Sequence, residues 1–136
     1  SSAIYDRVCR ITMGYQDAAD EFDIVKLRAP AGSAVWRAKV VDLVRRTREH
    51  AEIRVGSSVR GAIDMSRLAD ALARRRGLDA ENWHVGLDAA LVALSGRIRL
   101  AESTGRVAED VVRELYVAVF GAEPRSAEDG DAPGGA

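Results

Sequence analysis

Apolar residues recur along this chain mostly with a helical period. Phe22 and Val25, with Ile24 beside them, form a stripe behind Asp17, a capping residue followed by the acids Asp20 and Glu21 near the positive end of a helix dipole. Ala29-Pro30-Ala31-Gly32 ends that helix, because Pro30 cannot continue the hydrogen-bond ladder. Ser33 predicts a cap for a second helix over about residues 34–50. Its stripe is Trp36, Val40, Leu43 and Thr47, with Val44 adjoining. Ile53 and Val55 read as an extended piece and Gly56 as a turn. Ser57 or Ser58 then caps a helix running to about Arg76. Its stripe is Ala62, Met65, Ala69 and Leu72, with Leu68 adjoining, and Gly77 stands where a C-terminal glycine belongs.

A polar connection over residues 78–85 holds Trp83 and His84. Leu87, Leu91, Leu94 and Ile98 predict a helix over about 87–101, and Ser103-Thr104-Gly105-Arg106 breaks it. Val112, Leu115 and Val119, with Tyr116, predict a last helix over about 108–120. Residues 121–136 lack large apolar side chains and read as a disordered tail. At the other end, Val8, Ile11 and Met13 predict a short strand within residues 3–14, ended by Gly14. No partner strand for it is evident, and a lone strand cannot satisfy its own ladder. The expectation is a mainly α chain, a helical bundle with one N-terminal strand whose partner lies outside these residues.

Length and charge narrow the possibilities. At 136 residues the chain suits one core, and no apolar run approaches the ~20 residues of a membrane span. The single cysteine, Cys9, excludes an internal disulfide and fits a reducing, cytoplasmic compartment. On its short strand it reads as a small buried hydrophobe. The formal charge of −1 conceals a division. Residues 37–76 carry 11 basic and 5 acidic side chains, and residues 77–136 carry 5 and 11. Opposed lobes suit docking between surfaces, a phosphate site in the middle segment, or ordinary solvated helix faces.

Few residues group into chemistry. Gly56-Ser57-Ser58-Val59-Arg60-Gly61 has the glycine spacing of a phosphate loop. Ala62 and Ile63 stand where that loop needs Lys and Ser/Thr, so it is not one. A capped helix start still favours an anion, and Arg60 in the first turn offers a fork for phosphate oxygens. Two histidines and one cysteine, far apart, make no zinc site. No carboxylate pair or His/Cys arrangement suggests hydrolysis by side chains.

Two segments together resemble the C-terminal part of MoxR-type AAA+ ATPases, a group related to magnesium-chelatase ATPase subunits. Ala3-Ile4-Tyr5-Asp6-Arg7-Val8, followed by Arg10-Ile11-Thr12-Met13-Gly14-Tyr15-Gln16-Asp17, is similar to the family's "DRF" element, strand and acidic helix. Thr47-Arg48-Glu49-His50 through Val55-Gly56-Ser57-Ser58-Val59-Arg60-Gly61-Ala62 resembles the element that opens the lid helix. The chain departs at Val8, usually Phe, and at Gln16 and Val59, usually Pro.

The resemblance implies the last strand of the AAA+ core in residues 1–16, a helical lid in 17–120 and a tail in 121–136. It implies a catalytic role for Arg7 as an arginine finger acting in trans. It implies a cofactor-binding role for Arg60 as the sensor-2 residue on an ATP phosphate. ATP and Mg2+ would be held mainly by upstream residues, so this chain alone is expected to be inactive, with no metal ligand of its own. The implied partners are a homo-oligomeric ring, with a hexamer expected, and a von Willebrand factor A-type protein, with no nucleic acid. The competing reading is a non-enzymatic helical module, either a partner-binding bundle or a helix-turn-helix DNA binder using the basic segment 37–76.

Overall fold

A computed structural model describes residues 2–126. Among these residues the chain is mainly helical. Its elements are α1 (Ser2–Tyr5), α2 (Ala18–Arg28), α3 (Ala34–Arg46), β1 (Ile53–Val55), α4 (Val59–Arg76), α5 (Trp83–Leu94), β2 (Arg99–Leu100) and α6 (Ala108–Phe120), with a 3-10 turn at Glu102–Thr104.

Side chains set most of these boundaries. Asp17 caps α2 by accepting from the Asp20 N–H at 2.8 Å, and Ser33 caps α3 from Trp36 at 3.1 Å. Of the two serines offered by the sequence, Ser58 caps α4, accepting from the Arg60 N–H at 3.4 Å. Gly77 ends α4 in the left-handed region at φ 66°, where a Cβ is costly. Asn82 starts α5 by accepting from both His84 and Val85. That cap makes Trp83 and His84 the first turn of a helix rather than part of a connection.

The core lies between α3, α4, α5 and α6. Val40, Leu43, Val44, Met65, Val85, Leu94, Val111, Val112 and Tyr116 are all at or near complete burial. Burying such side chains contributes about 1.5–3 kcal/mol each before entropy is counted. α5 packs against both α4 and α6 and buries the small side chains Ala89, Ala90 and Ala93 in doing so. At one end of the bundle Trp36, Trp83, Tyr116 and Phe120 form an aromatic cluster. Tyr116 stacks on Phe120 with centroids 4.4 Å apart, and its hydroxyl donates to the Trp83 carbonyl at 2.8 Å.

Four expectations are corrected. Residues 3–14 form no strand: Ser2–Tyr5 is a short helix and the rest is irregular and exposed, Ile11 at 80% and Met13 at 86%. The described sheet has two strands, β1 and β2, paired antiparallel with each other, and the N-terminal segment joins neither. Cys9 is accordingly exposed rather than buried. The helix expected over 87–101 instead ends at Leu94, and Arg99–Leu100 turn away to pair with β1, Ile53 facing Leu100. Ile98 continues the apolar period but is buried as part of that turn. The second expected helix stops at Arg46 rather than about residue 50.

Of the segment read as a tail, residues 121–126 are irregular and touch the start of α5. Trp83 Nε1 donates to the Gly121 carbonyl at 2.9 Å, and His84 meets Glu123 at 2.9 Å. Residues 127–136 lie outside the described residues.

Candidate functional site: an arginine-lined cleft at the start of α4

The β1–α4 turn fixes where Arg60 stands. Thr47 Oγ1 accepts from the Ser57 N–H at 2.9 Å, so the end of α3 holds the turn from beneath. Gly61 packs against Ser57 and Leu94 so closely that a Cβ there would strike Ser57 Oγ and lie 2.7 Å from Leu94 Cδ2. The first turn of α4 is therefore seated on α5, and Arg60 projects from its exposed side.

Arg60 opens onto a cleft of about 380 Å3 lined by Arg28, Arg60, Ile63, Asp64, Arg67 and Arg97. Two helices and one loop supply these residues: α2 ends at Arg28, α4 gives Arg60, Ile63, Asp64 and Arg67, and Arg97 follows α5. Arg67 is held in place by donating to the Arg28 carbonyl from Nε at 3.2 Å and Nη2 at 2.9 Å. Arg97 ion-pairs with Asp64 and donates to the Ala93 carbonyl at 2.8 Å. Among the described residues Arg60 makes neither a side-chain hydrogen bond nor an ion pair. Four guanidiniums stand against one carboxylate that is already engaged. The lining suits an anion, and the fork geometry of arginine suits phosphate oxygens. It offers no free carboxylate for magnesium.

The two arginines singled out by the sequence are not brought together. Arg7 lies in the irregular N-terminal segment, exposed, outside the cleft. Arg28, Arg67 and Arg97 complete the cleft and were missed by sequence reasoning. Their residues lie 32 before, 7 after and 37 after Arg60 in the chain. Arg67 follows Arg60 by two helical turns, the one spacing that could have pointed to a shared face.

A second polar cluster joins His50, Glu52 and Glu114, whose ligand atoms lie within 4.8 Å of one another. Arg106 bonds Glu52 at 2.6 Å and Glu114 at 2.7 Å, and its hydrogen bonds hold both carboxyls below the usual carboxylate range. His50 Nδ1 accepts the Glu52 N–H at 3.1 Å. The guanidinium already occupies the place of a cation, and the cluster ties β1 to α6.

Comparison with protein-family models, with curated proteins and with solved structures returns no match to this chain.

Proposed function

We propose that this chain is the helical lid of a MoxR-type AAA+ ATPase and that Arg60 contacts an ATP phosphate from the start of α4. The observation that carries this reading is the cleft itself. An arginine with no side-chain partner among the described residues projects from a capped helix start, among three further arginines. That is a place prepared for negative charge. Arg67 and Arg97 are restrained by carbonyl contacts, so the field they contribute is fixed before a ligand arrives. ATP supplies the γ-phosphate whose presence or absence the cleft senses. Magnesium and the phosphate loop belong to an upstream half, since the cleft contributes no free carboxylate. Arg7, on its exposed segment, reaches the nucleotide of a neighbouring subunit in a ring. Such a ring remodels or assembles partner complexes, von Willebrand factor A-type proteins among them.

The DNA-binding alternative draws less support. Within the segment 37–76, Arg45, Arg46, Arg48, Arg74 and Arg76 are each paired with a carboxylate of this chain, which lowers the charge left for a phosphate backbone.

The test is ATP turnover by the complete ATPase carrying Arg60→Ala. A fall of about 10²–10³-fold in kcat is expected, the scale for removing one preorganised donor to developing charge. Circular dichroism should remain that of the wild type. Wild-type turnover removes Arg60 from the nucleotide. For Arg7, subunits bearing Arg7→Ala mixed with phosphate-loop variants should regain activity, because each supplies what the other lacks. No regain overturns action across an interface.

A further inference from the structure

All three nitrogens of Arg48 donate, and together with its stacking they reach three separate parts of the chain. Nη1 and Nη2 fork the Glu21 carboxylate at 2.7 and 2.6 Å, which joins the end of α3 to α2. Nε donates to the Ser57 carbonyl at 2.7 Å, immediately before the cap of α4. The guanidinium plane lies over the Tyr15 ring, 3.9 Å from its centroid. Arg45 adds a second ion pair to Glu21 and donates to the Gln16 carbonyl at 3.0 Å. Glu21 is 1% exposed, so this is a buried carboxylate between two guanidiniums, with one of them extending the contact at each end.

Ahead of Tyr15 the situation changes. A Cβ added at Gly14 would have no atom within 4 Å, and residues 8–14 are exposed throughout.

We infer that Arg48 is a positioning residue. It locks the entry of the N-terminal segment, at Tyr15–Asp17, and the start of α4, at Ser57–Gly61, into one rigid piece, so that the segment carrying Arg7 pivots at Gly14, ahead of the lock. The fork carries the coupling. A guanidinium can hold two carboxylate oxygens and a carbonyl at once and stack on a ring; an ammonium is a point charge and cannot do all of these. Under the proposed function, on which only this consequence rests, Arg60 keeps a fixed relation to residues 15–17 while Arg7 does not.

Residue-resolved amide hydrogen exchange on this chain tests the lock without any nucleotide. In Arg48→Lys and in Tyr15→Ala, the amides of Asp20 and Glu21 at one end and of Ser57 and Gly61 at the other should accelerate together, by about tenfold. The amides of Ala89 and Ala90, in the middle of α5, should keep their wild-type rates. Tyr15→Ala removes a half-exposed ring and leaves the buried ion pair intact, so it tests the lock in a folded chain even if a change at Arg48 unfolds it. The lock is overturned if Asp20 and Glu21 accelerate while Ser57 and Gly61 hold, or if Lys restores wild-type rates. Equal acceleration at Ala89 and Ala90 also overturns it, because Arg48 then contributes only general stability. ATP turnover is a separate measurement, so a failure of the ATPase reading leaves the exchange result standing.

Discussion

Glu21 is the residue whose replacement should be felt most widely. Its carboxylate lies between Arg45 and Arg48 with almost no solvent contact, and Glu21→Gln would leave two guanidiniums facing a neutral amide. Removing one partner from a buried ion pair costs about 3–5 kcal/mol, which urea unfolding of this variant should show as a lower midpoint. The same residue sets a pH dependence. Burial pushes its pKa up, but the hydrogen bonds and charges of Arg48 and Arg45 outweigh that, and the net direction is below the ordinary value of 4.5. A depressed carboxyl contributes stability that is full above that ordinary value and disappears as pH falls through the folded one. Acid unfolding should therefore steepen below pH 4.5 in the wild type and lose part of that steepness in Glu21→Gln. The sequence shows Glu21 only as an acid in the first turn of a helix. Its partners lie 24 and 27 residues away, at a distance no local pattern reports.

At the scale of elements, the start of α4 has little slack. Gly61→Ala would drive a methyl into Ser57 and Leu94, and overpacking of this kind costs about 1–3 kcal/mol. The thermal midpoint of Gly61→Ala should fall, and it should fall further than that of Ser58→Ala, which removes a single long cap bond worth about 1 kcal/mol or less. The reverse order would mean that α4 is not seated on α5 through this glycine. Helix positions were largely legible in the sequence where caps and stripes coincide. The last helix, expected over 108–120, is α6 with those bounds. The errors come from one-sided signals. Asn82 caps α5 without an apolar stripe to draw attention to it, so the helix was expected too late. Ile98 extends the stripe of α5 without belonging to it, so the helix was expected to run too far.

For the whole molecule, the division is between a packed body and an N-terminal segment that lies outside its core. Trypsin should cut first after Arg7, Arg10 and Arg125, all exposed in irregular chain, and leave the helical body intact by mass spectrometry. Early cleavage after Arg45, Arg48 or Arg97 would contradict the packing described. The strand expected near the N-terminus shows why sequence pattern has a limit here. Apolar residues at 8, 11 and 13 state a tendency to be covered, but covering requires a partner, and β1 and β2 pair with each other and not with this segment. The candidate site was legible to the extent of Arg60 and the helix start. The other three arginines converge on it only through the packing of α2, α4 and α5.

The aromatic cluster has a practical consequence. Both tryptophans of the chain, Trp36 and Trp83, belong to it, and the single cysteine, Cys9, lies exposed on the segment ahead of Gly14. Intrinsic emission therefore reports from one fixed end of the bundle, and a thiol-reactive acceptor on Cys9 labels the arm alone. Energy transfer between them can follow the swing of the arm against the body with no engineered residue.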